Sequence, residues 1–320
     1  MQLITAYDLP VSPARVAGAP DPTEGAPPLR VALVQHHWRE DSAELERVLS
    51  EAVARAAGEG AQVVFLPELT LSRYPAFEAP QGPASATAED LDDGPTARLV
   101  AGLAREHGIH VHTSLYERAD QAGDGLGFNT AVLFGPGGER VGRTRKTHIP
   151  VTEGYVEDLY FRPGPPAKAY PAYDLEVGHP VAPRVGLPTC WDEWFPEVAR
   201  LYALAGADLL AYPTAIGSEP DHPDFDTQPL WQQVITGHAV ANGLFVVVPN
   251  RTGSEGRIRF YGSSFVVDPY GRVLAQAPRD EEAVLVVDLD LRQRHDWLAL
   301  FPFLRTRRPD TYAGLLEGLR

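Results

Sequence analysis

Residues 30–69 read RVALVQHHWREDSAELERVLSEAVARAAGEGAQVVFLPEL. A β-branched run, RVALVQ, leads into a helical pattern that opens on Asp41, a residue type whose side chain caps free helix amides, and lasts to about residue 57. A second apolar run, QVVFLPEL, follows. Strand, helix, strand in this order predicts an α/β unit. The alternation continues outward from it. A helix over about 97–107 precedes IHVHTSLYE, and NTAVLFGPGGERVGRTRK reads as a hairpin turning at Pro136-Gly137-Gly138. RVGLPTC, a helix over about 194–205, LLAYPTA, a helix over about 230–241 and FVVVPN repeat the α/β pattern. A closing antiparallel set turns at Asp268-Pro269-Tyr270-Gly271 and ends in AVLVVDLDL. No Gly/Ser-rich linker divides residues 30–320, so one mixed α/β (α+β) domain is expected there. Residues 1–29 contain LPVSPARVAGAPDPTEGAPPL, dense in Pro, Ala and Gly and without helical or alternating period, and are read as an extension outside the core.

With 320 residues, of which 44% are hydrophobic, the chain can bury a sizeable core. Its 28 basic and 43 acidic side chains give a formal net charge of −15. That sign argues against a nucleic-acid partner and draws cationic small molecules toward a cleft. A single cysteine makes no intramolecular disulfide, and the first thirty residues lack a basic start followed by an apolar stretch, so a cytoplasmic protein is expected. No apolar run is long enough to cross a bilayer, which points away from a membrane.

That cysteine, Cys190, falls between the strand RVGLPT and a helix opening near WFPE, where Pro196 suits a first turn. Most free cysteines are small buried hydrophobes. A strand-to-helix junction, however, presents a nucleophile at a sheet edge, where helix amides favour a thiolate and can donate to an oxyanion. Ten histidines make a Cys/His pair the first arrangement to test; His148, in RTRKTHIP, is equally readable as a structural residue at a strand end. His110 and His112 share a strand face but have no cysteine or carboxylate at metal-ligand spacing, so no metal is expected. Glu68 follows a hydrophobic strand and a proline, a costly place for an idle charge. Lys146 also follows a strand, where a solvated lysine is the ordinary explanation.

Together FLPEL, GRTRKTHIP and LPTCWDEWFPE resemble the nitrilase superfamily of carbon–nitrogen hydrolases, whose catalytic Glu, Lys and Cys occur in this order and context. The segments CWDEWFPEVARLYALAGADLLAYPTAIGSEP, GHAVANGLFVVVPNRTG and RFYGSSFVVDPYG are similar in particular to N-carbamoylputrescine amidases. The resemblance implies a four-layer α-β-β-α sandwich, pairing of copies into a homodimer or larger assembly, and no cofactor. It implies Glu68 as general base, Lys146 as stabiliser of the tetrahedral intermediate together with the Trp191 amide, and Cys190 as nucleophile. Glu117, in TSLYER, is taken as the second glutamate that orients the lysine and base. Trp191, Tyr74, Glu157, Glu219, Thr214 and Asn129 are expected to bind substrate, with Asp192, Glu157 and Glu219 as the carboxylates that suit a distal ammonium. Arg73, Arg162 and Arg251 are the loop arginines that could instead hold a carboxylate. The expected reaction is hydrolysis of a linear carbamoyl compound, foremost N-carbamoylputrescine to putrescine, carbon dioxide and ammonia. An ω-amide or an N-carbamoyl amino acid is the alternative substrate, and a catalytically silent binding scaffold is the alternative of another class. Pro188, close before the nucleophile, and the N-terminal extension depart from the family pattern.

Overall fold

The computed structural model describes residues 1–15, 25–120, 123–152 and 154–317. In chain order the strands are β1 (Gln2–Ala6), β2 (Leu29–Gln35), β3 (Val63–Phe65), β4 (His110–Glu117), β5 (Phe128–Phe134), β6 (Arg140–Arg145), β7 (Val151–Thr152), β8 (Tyr155–Val156), β9 (Ala172–Asp174), β10 (Arg184–Gly186), β11 (Leu209–Ala211), β12 (Phe245–Val248), β13 (Thr252–Glu255), β14 (Ile258–Tyr261), β15 (Phe265–Val267), β16 (Val273–Gln276) and β17 (Ala283–Leu289). The α-helices are α1 (Ser42–Gly58), α2 (Pro95–His107), α3 (Pro196–Leu204), α4 (Gln228–Asn242) and α5 (Arg292–Leu300). A seven-stranded sheet runs β1-β17-β2-β3-β4-β5-β6, and a six-stranded sheet runs β16-β15-β12-β11-β10-β9.

Side-chain alternation turns these sheets into four layers. Val31, Leu33, Leu285 and Val287 point to one side of the first sheet and meet Val185, Leu209, Ala211, Phe245 and Val247 of the second, forming the central core. Their neighbours Ala32, Val34, Val284 and Val286 point the other way, against Leu45, Leu49 and Val53 of α1 and Val100 of α2. On the far side Leu210, Val246 and Val248 pack on Val198 and Tyr202 of α3 and Trp231 and Ile235 of α4. Each fully buried aliphatic side chain contributes roughly 1.5–3 kcal/mol, so the two helix layers are held mainly by these contacts. The α-β-β-α sandwich is therefore present as expected.

The caps and turns follow the residues that announced them. Asp41 accepts from the amides of Ala43 and Glu44 at 2.9 and 3.3 Å, and Pro196 is the first residue of α3. Gly138 (φ 81°) and Gly271 (φ 79°) supply the left-handed turns after β5 and β15. One expectation is corrected: Gln2–Ala6, read as lying outside the core, pairs in parallel with β17 over residues 283–287 and forms the edge of the first sheet. Residues 16–24 of that extension lie outside the described residues. Among the described residues no helix is long and apolar enough to cross a membrane.

Candidate active site

The site gathers where strands of both sheets end. Glu68 comes three residues after β3, Lys146 directly after β6, and Cys190 four residues after β10. All three are buried, with Cys190 7% exposed and Glu68 and Lys146 at or below 1%. Two of the turns are strained: Leu69, next to Glu68, has φ 50°, and Cys190 itself has φ 43°. A non-glycine residue held there costs of order 1–3 kcal/mol and persists only where surrounding bonds overdetermine it.

Those bonds are visible. Arg251 is fully buried, and its Nε and Nη2 both donate to the Glu68 carbonyl at 3.0 Å. The same Nη2 reaches the carbonyls of Leu69 and, at 2.6 Å, Ser72. Glu255 balances the charge at 2.6 Å and with its other oxygen accepts from the Tyr74 amide at 2.7 Å. Ser114 Oγ accepts from the Leu69 amide at 3.1 Å and donates to Asn129 Oδ1, also at 3.1 Å. Cys190 is anchored by its amide on the Pro213 carbonyl at 3.0 Å and opens a short 3-10 helix, Cys190–Trp194.

At the centre Lys146 Nζ donates to Glu68 Oε1 at 2.9 Å and to both oxygens of Glu157 at 2.8 Å. Asn129 Nδ2 also donates to Glu68 Oε1, at 2.7 Å, and the Tyr74 hydroxyl donates to Glu157 Oε1 at 2.8 Å. Glu68 Oε2 is left buried and without a hydrogen-bond partner among the described residues. That is the oxygen free to take a proton. Although burial disfavours its charge, Lys146 is held well above the ordinary lysine value by the Glu157 and Glu68 carboxylates. Burial first, and repulsion from Glu68, push Glu157 up to about 7 against the pull of Lys146.

The thiol is pushed well above the usual cysteine range, first by burial and then by the negative charge of Glu68, with Lys146 pulling in the opposite sense. The expectation that helix amides favour a resting thiolate is thus corrected: the nucleophile starts protonated, and the five-residue 3-10 helix does not outweigh desolvation. Glu193, on that same helix, is fully buried and is held well above the carboxylate range by burial, against a pull from the Trp231 side chain. Burial thus favours its protonated form, and it is near enough to the thiol to bear on it.

Glu117 does not join this cluster. Along β4, Val111 and Leu115 face the outer helix layer, and Glu117 shares their parity. Its carboxylate accepts from Thr130 Oγ1 at 2.7 Å, Arg143 Nη1 at 2.7 Å and both Arg145 Nε and Nη2, at 2.8 and 2.5 Å. The glutamate that touches the lysine is Glu157, which had been expected to hold a substrate ammonium. Asn129 and Tyr74 likewise bond to the acids of the cluster. Thr214 donates through Oγ1 to the Pro249 carbonyl at 3.0 Å. Trp191 is half-buried beside Trp194. Glu219 is half-buried, raised by desolvation, and close enough to Tyr155 to raise that phenol. Sequence reasoning missed Arg251 as a clamp, Ser114, Glu255 and the buried Glu193. Among the described residues no group of three or more His, Cys, Asp or Glu could hold a metal ion.

A buried thiol beside a lysine shared by two carboxylates, on a four-layer sandwich, is the equipment of a thiol-dependent hydrolase. The carbon-nitrogen hydrolase family pattern matches residues 30–298, and the chain belongs to that family. A citrullinase from Francisella tularensis subsp. tularensis is 35% identical over 90% of this chain and 98% of its own length. The N-carbamoylputrescine amidase of Arabidopsis thaliana is 36% identical over 85% of this chain and 88% of its own. Of solved structures, a carbon-nitrogen hydrolase from Helicobacter pylori G27 superposes with a TM-score of 0.81 at 31% identity, covering 91% of this chain and 99% of that one. A mutant of the amidase from Nesterenkonia sp. AN1, showing the result of Michael addition of acrylamide at its active-site cysteine, gives 0.70 at 27% identity over 90% and 99% of the two chains. This protein is a hydrolase of carbon–nitrogen bonds other than peptide bonds, in linear amides.

Proposed function

We propose that the chain hydrolyses a linear carbamoyl amine, foremost N-carbamoylputrescine, through an acyl-enzyme on Cys190. The observation that carries this reading is the Glu68–Lys146–Glu157 cluster beside a protonated thiol. A protonated nucleophile needs a base, and Glu68 Oε2 is the unengaged one. As the Sγ–C bond forms, Glu68 takes the thiol proton and later gives it to the departing nitrogen. Lys146 stabilises the developing oxyanion, with the Trp191 amide as second donor. Glu157 holds Lys146 charged and in place. Water activated by Glu68 then releases the carbamoyl fragment, which breaks down to carbon dioxide and ammonia.

The choice of substrate rests on charge. A carboxylate-bearing substrate needs an arginine fork. Arg251 is wholly occupied by Glu255 and backbone carbonyls, and Arg162 is tied to Asp124 and the Leu126 carbonyl. Arg73 is exposed and lies over the Phe77 ring. Asp221 and Asp226 of the following loop are paired with Arg257 and Arg279, so the support for an ammonium seat comes from half-buried Glu219 with Tyr155. Citrulline is the second reading, favoured by the similar citrullinase; it offers the same ureido end but adds a carboxylate. Exposed Leu201 and Leu204 on α3 and Leu230 on α4 offer an apolar helix face for the expected pairing of copies. The test is kcat/KM for N-carbamoylputrescine against citrulline and N-carbamoyl-β-alanine in one buffer. The amine should win by tenfold or more, and an acid that outruns it overturns the substrate assignment.

A further inference from the structure

The reacting groups stand on different sheets: Lys146 leaves the edge strand of the seven-stranded sheet, while Cys190 follows a strand of the six-stranded one. Between the sheets lies an apolar core, and apolar packing is non-directional. Something directional must fix the lysine relative to the thiol.

The Tyr173 hydroxyl of β9 joins the two sheets at Arg143 of β6, but beside the reacting groups the tie is made by another side chain. Asp192, two residues after Cys190 and 1% exposed, accepts through Oδ1 from the His148 amide at 2.9 Å and from His148 Nδ1 at 2.7 Å. Its Oδ2 accepts from the Thr147 amide at 3.3 Å and from the Thr189 amide at 3.1 Å. The carboxylate therefore binds the two residues that follow Lys146 and the residue that precedes Cys190. The imidazole is held flat against Phe195, just before α3, with ring centroids 3.7 Å apart and an interplanar angle of 11°. We propose that Asp192 and His148 are a positioning pair that sets the spacing of Lys146 and Cys190 across the two sheets. Neither touches the reacting atoms. With a carboxylate oxygen opposite it, Nδ1 is the ring nitrogen that carries the proton and donates. The inference rests on the roles proposed above for Lys146 and Cys190.

The pair predicts an effect confined to chemistry, because a reacting group displaced by about 1 Å can cost on the order of 10²-fold. His148→Ala removes the side-chain bond, while His148→Asn returns a donor nitrogen at the Nδ1 position and lacks the ring. In purified full-length enzyme, His148→Ala should lower kcat at least about tenfold with KM within about threefold, and His148→Asn should regain most of it. The second readout is the pH at which iodoacetamide alkylates Cys190 at half its maximal rate. The charged or titratable groups that bear on this thiol are Glu68, Lys146, Glu193 and Glu157, and Lys146 is the one that favours the thiolate. A displaced Lys146 should move that midpoint upward in His148→Ala and leave it unmoved in His148→Asn; a purely structural role would lower Tm and leave the midpoint in place. Wild-type kcat and midpoint in His148→Ala, or His148→Asn as impaired as His148→Ala, overturn the proposal. Lys146→Ala and Cys190→Ala run alongside: activity in either sinks the catalytic reading itself, whereas their inactivity with a silent His148→Ala sinks only the pair.

Discussion

Replacing Glu157 by Gln is the perturbation that most directly probes the buried charge cluster. The substitution keeps the shape and deletes one of the two carboxylates on Lys146, so a bifurcated contact at 2.8 Å to both oxygens becomes a single neutral acceptor. A charge-assisted hydrogen bond contributes about 1.5–3 kcal/mol. At about 1.4 kcal/mol per decade, losing that much constraint on the oxyanion donor lowers kcat roughly 10- to 150-fold. The pH profile carries the sharper signature. Glu157 is raised to about 7, so the wild type gains a proton there as pH falls through that value, and activity should fall with it. Glu157→Gln should be flat over the same range. Stability has the opposite sign. A carboxyl whose folded value lies above its unfolded 4.5 binds an extra proton in the native state between those limits, so stability falls as pH rises from about 4.5 to 7. The variant should lose that slope. Ammonia release and thermal melts from pH 5 to 8.5 read both effects. Wild-type kcat in Glu157→Gln, or an unchanged acid limb near 7, refutes the reasoning.

Two further outcomes follow from the same geometry. Cys190→Ala should release no ammonia while melting within a few degrees of the wild type, and because this is the only cysteine, one equivalent of alkylating reagent should silence the wild type; partial activity after full labelling would disprove its role. Arg251→Met strands the buried Glu255 charge and unclamps the Glu68 turn, a loss of about 3–5 kcal/mol. With about 2.1 cal/mol/K of unfolding entropy per residue over 320 residues, that lowers Tm by roughly 4–7 °C, and Arg251→Met with Glu255→Leu should recover part of it; a shift under 1 °C contradicts the clamp.

The layers were legible because apolar period, caps and turns are local signals: Asp41, Pro196, Gly138 and Gly271 each stand where the residue type alone required. Strand β1 was not. QLITA is five residues ahead of a proline-rich stretch, and its partner lies some 280 residues away, a pairing no local pattern contains. Of the site, the three strand-end residues could be read, but the second glutamate could not be chosen by adjacency to a motif. Alternation in HVHTSLYE would have helped, since Glu117 shares the face of Val111 and Leu115, which look outward. Nothing comparable marked Glu157, which opens a three-residue 3-10 turn directly after β8, or Arg251, whose partners are mostly carbonyls 179 to 183 residues distant.

The charges also constrain the order of chemical events. Around Cys190 stand Glu68, Glu157 and Glu193 against one lysine, all of them buried. A thiolate formed before substrate arrives would add negative charge to a desolvated cluster of acids offset by one lysine, which is costly. A substrate carbonyl changes the balance, because the charge that leaves Sγ on attack ends on an oxygen that Lys146 can meet. Proton transfer to Glu68 is then favourable only as the new bond forms. It follows that neutral alkylating reagents should react with Cys190 slowly at pH 7 compared with an exposed thiol, while carbonyl compounds that complete the tetrahedral geometry should add faster than their intrinsic electrophilicity predicts. A reactive, freely ionised thiol at neutral pH would be incompatible with this ordering.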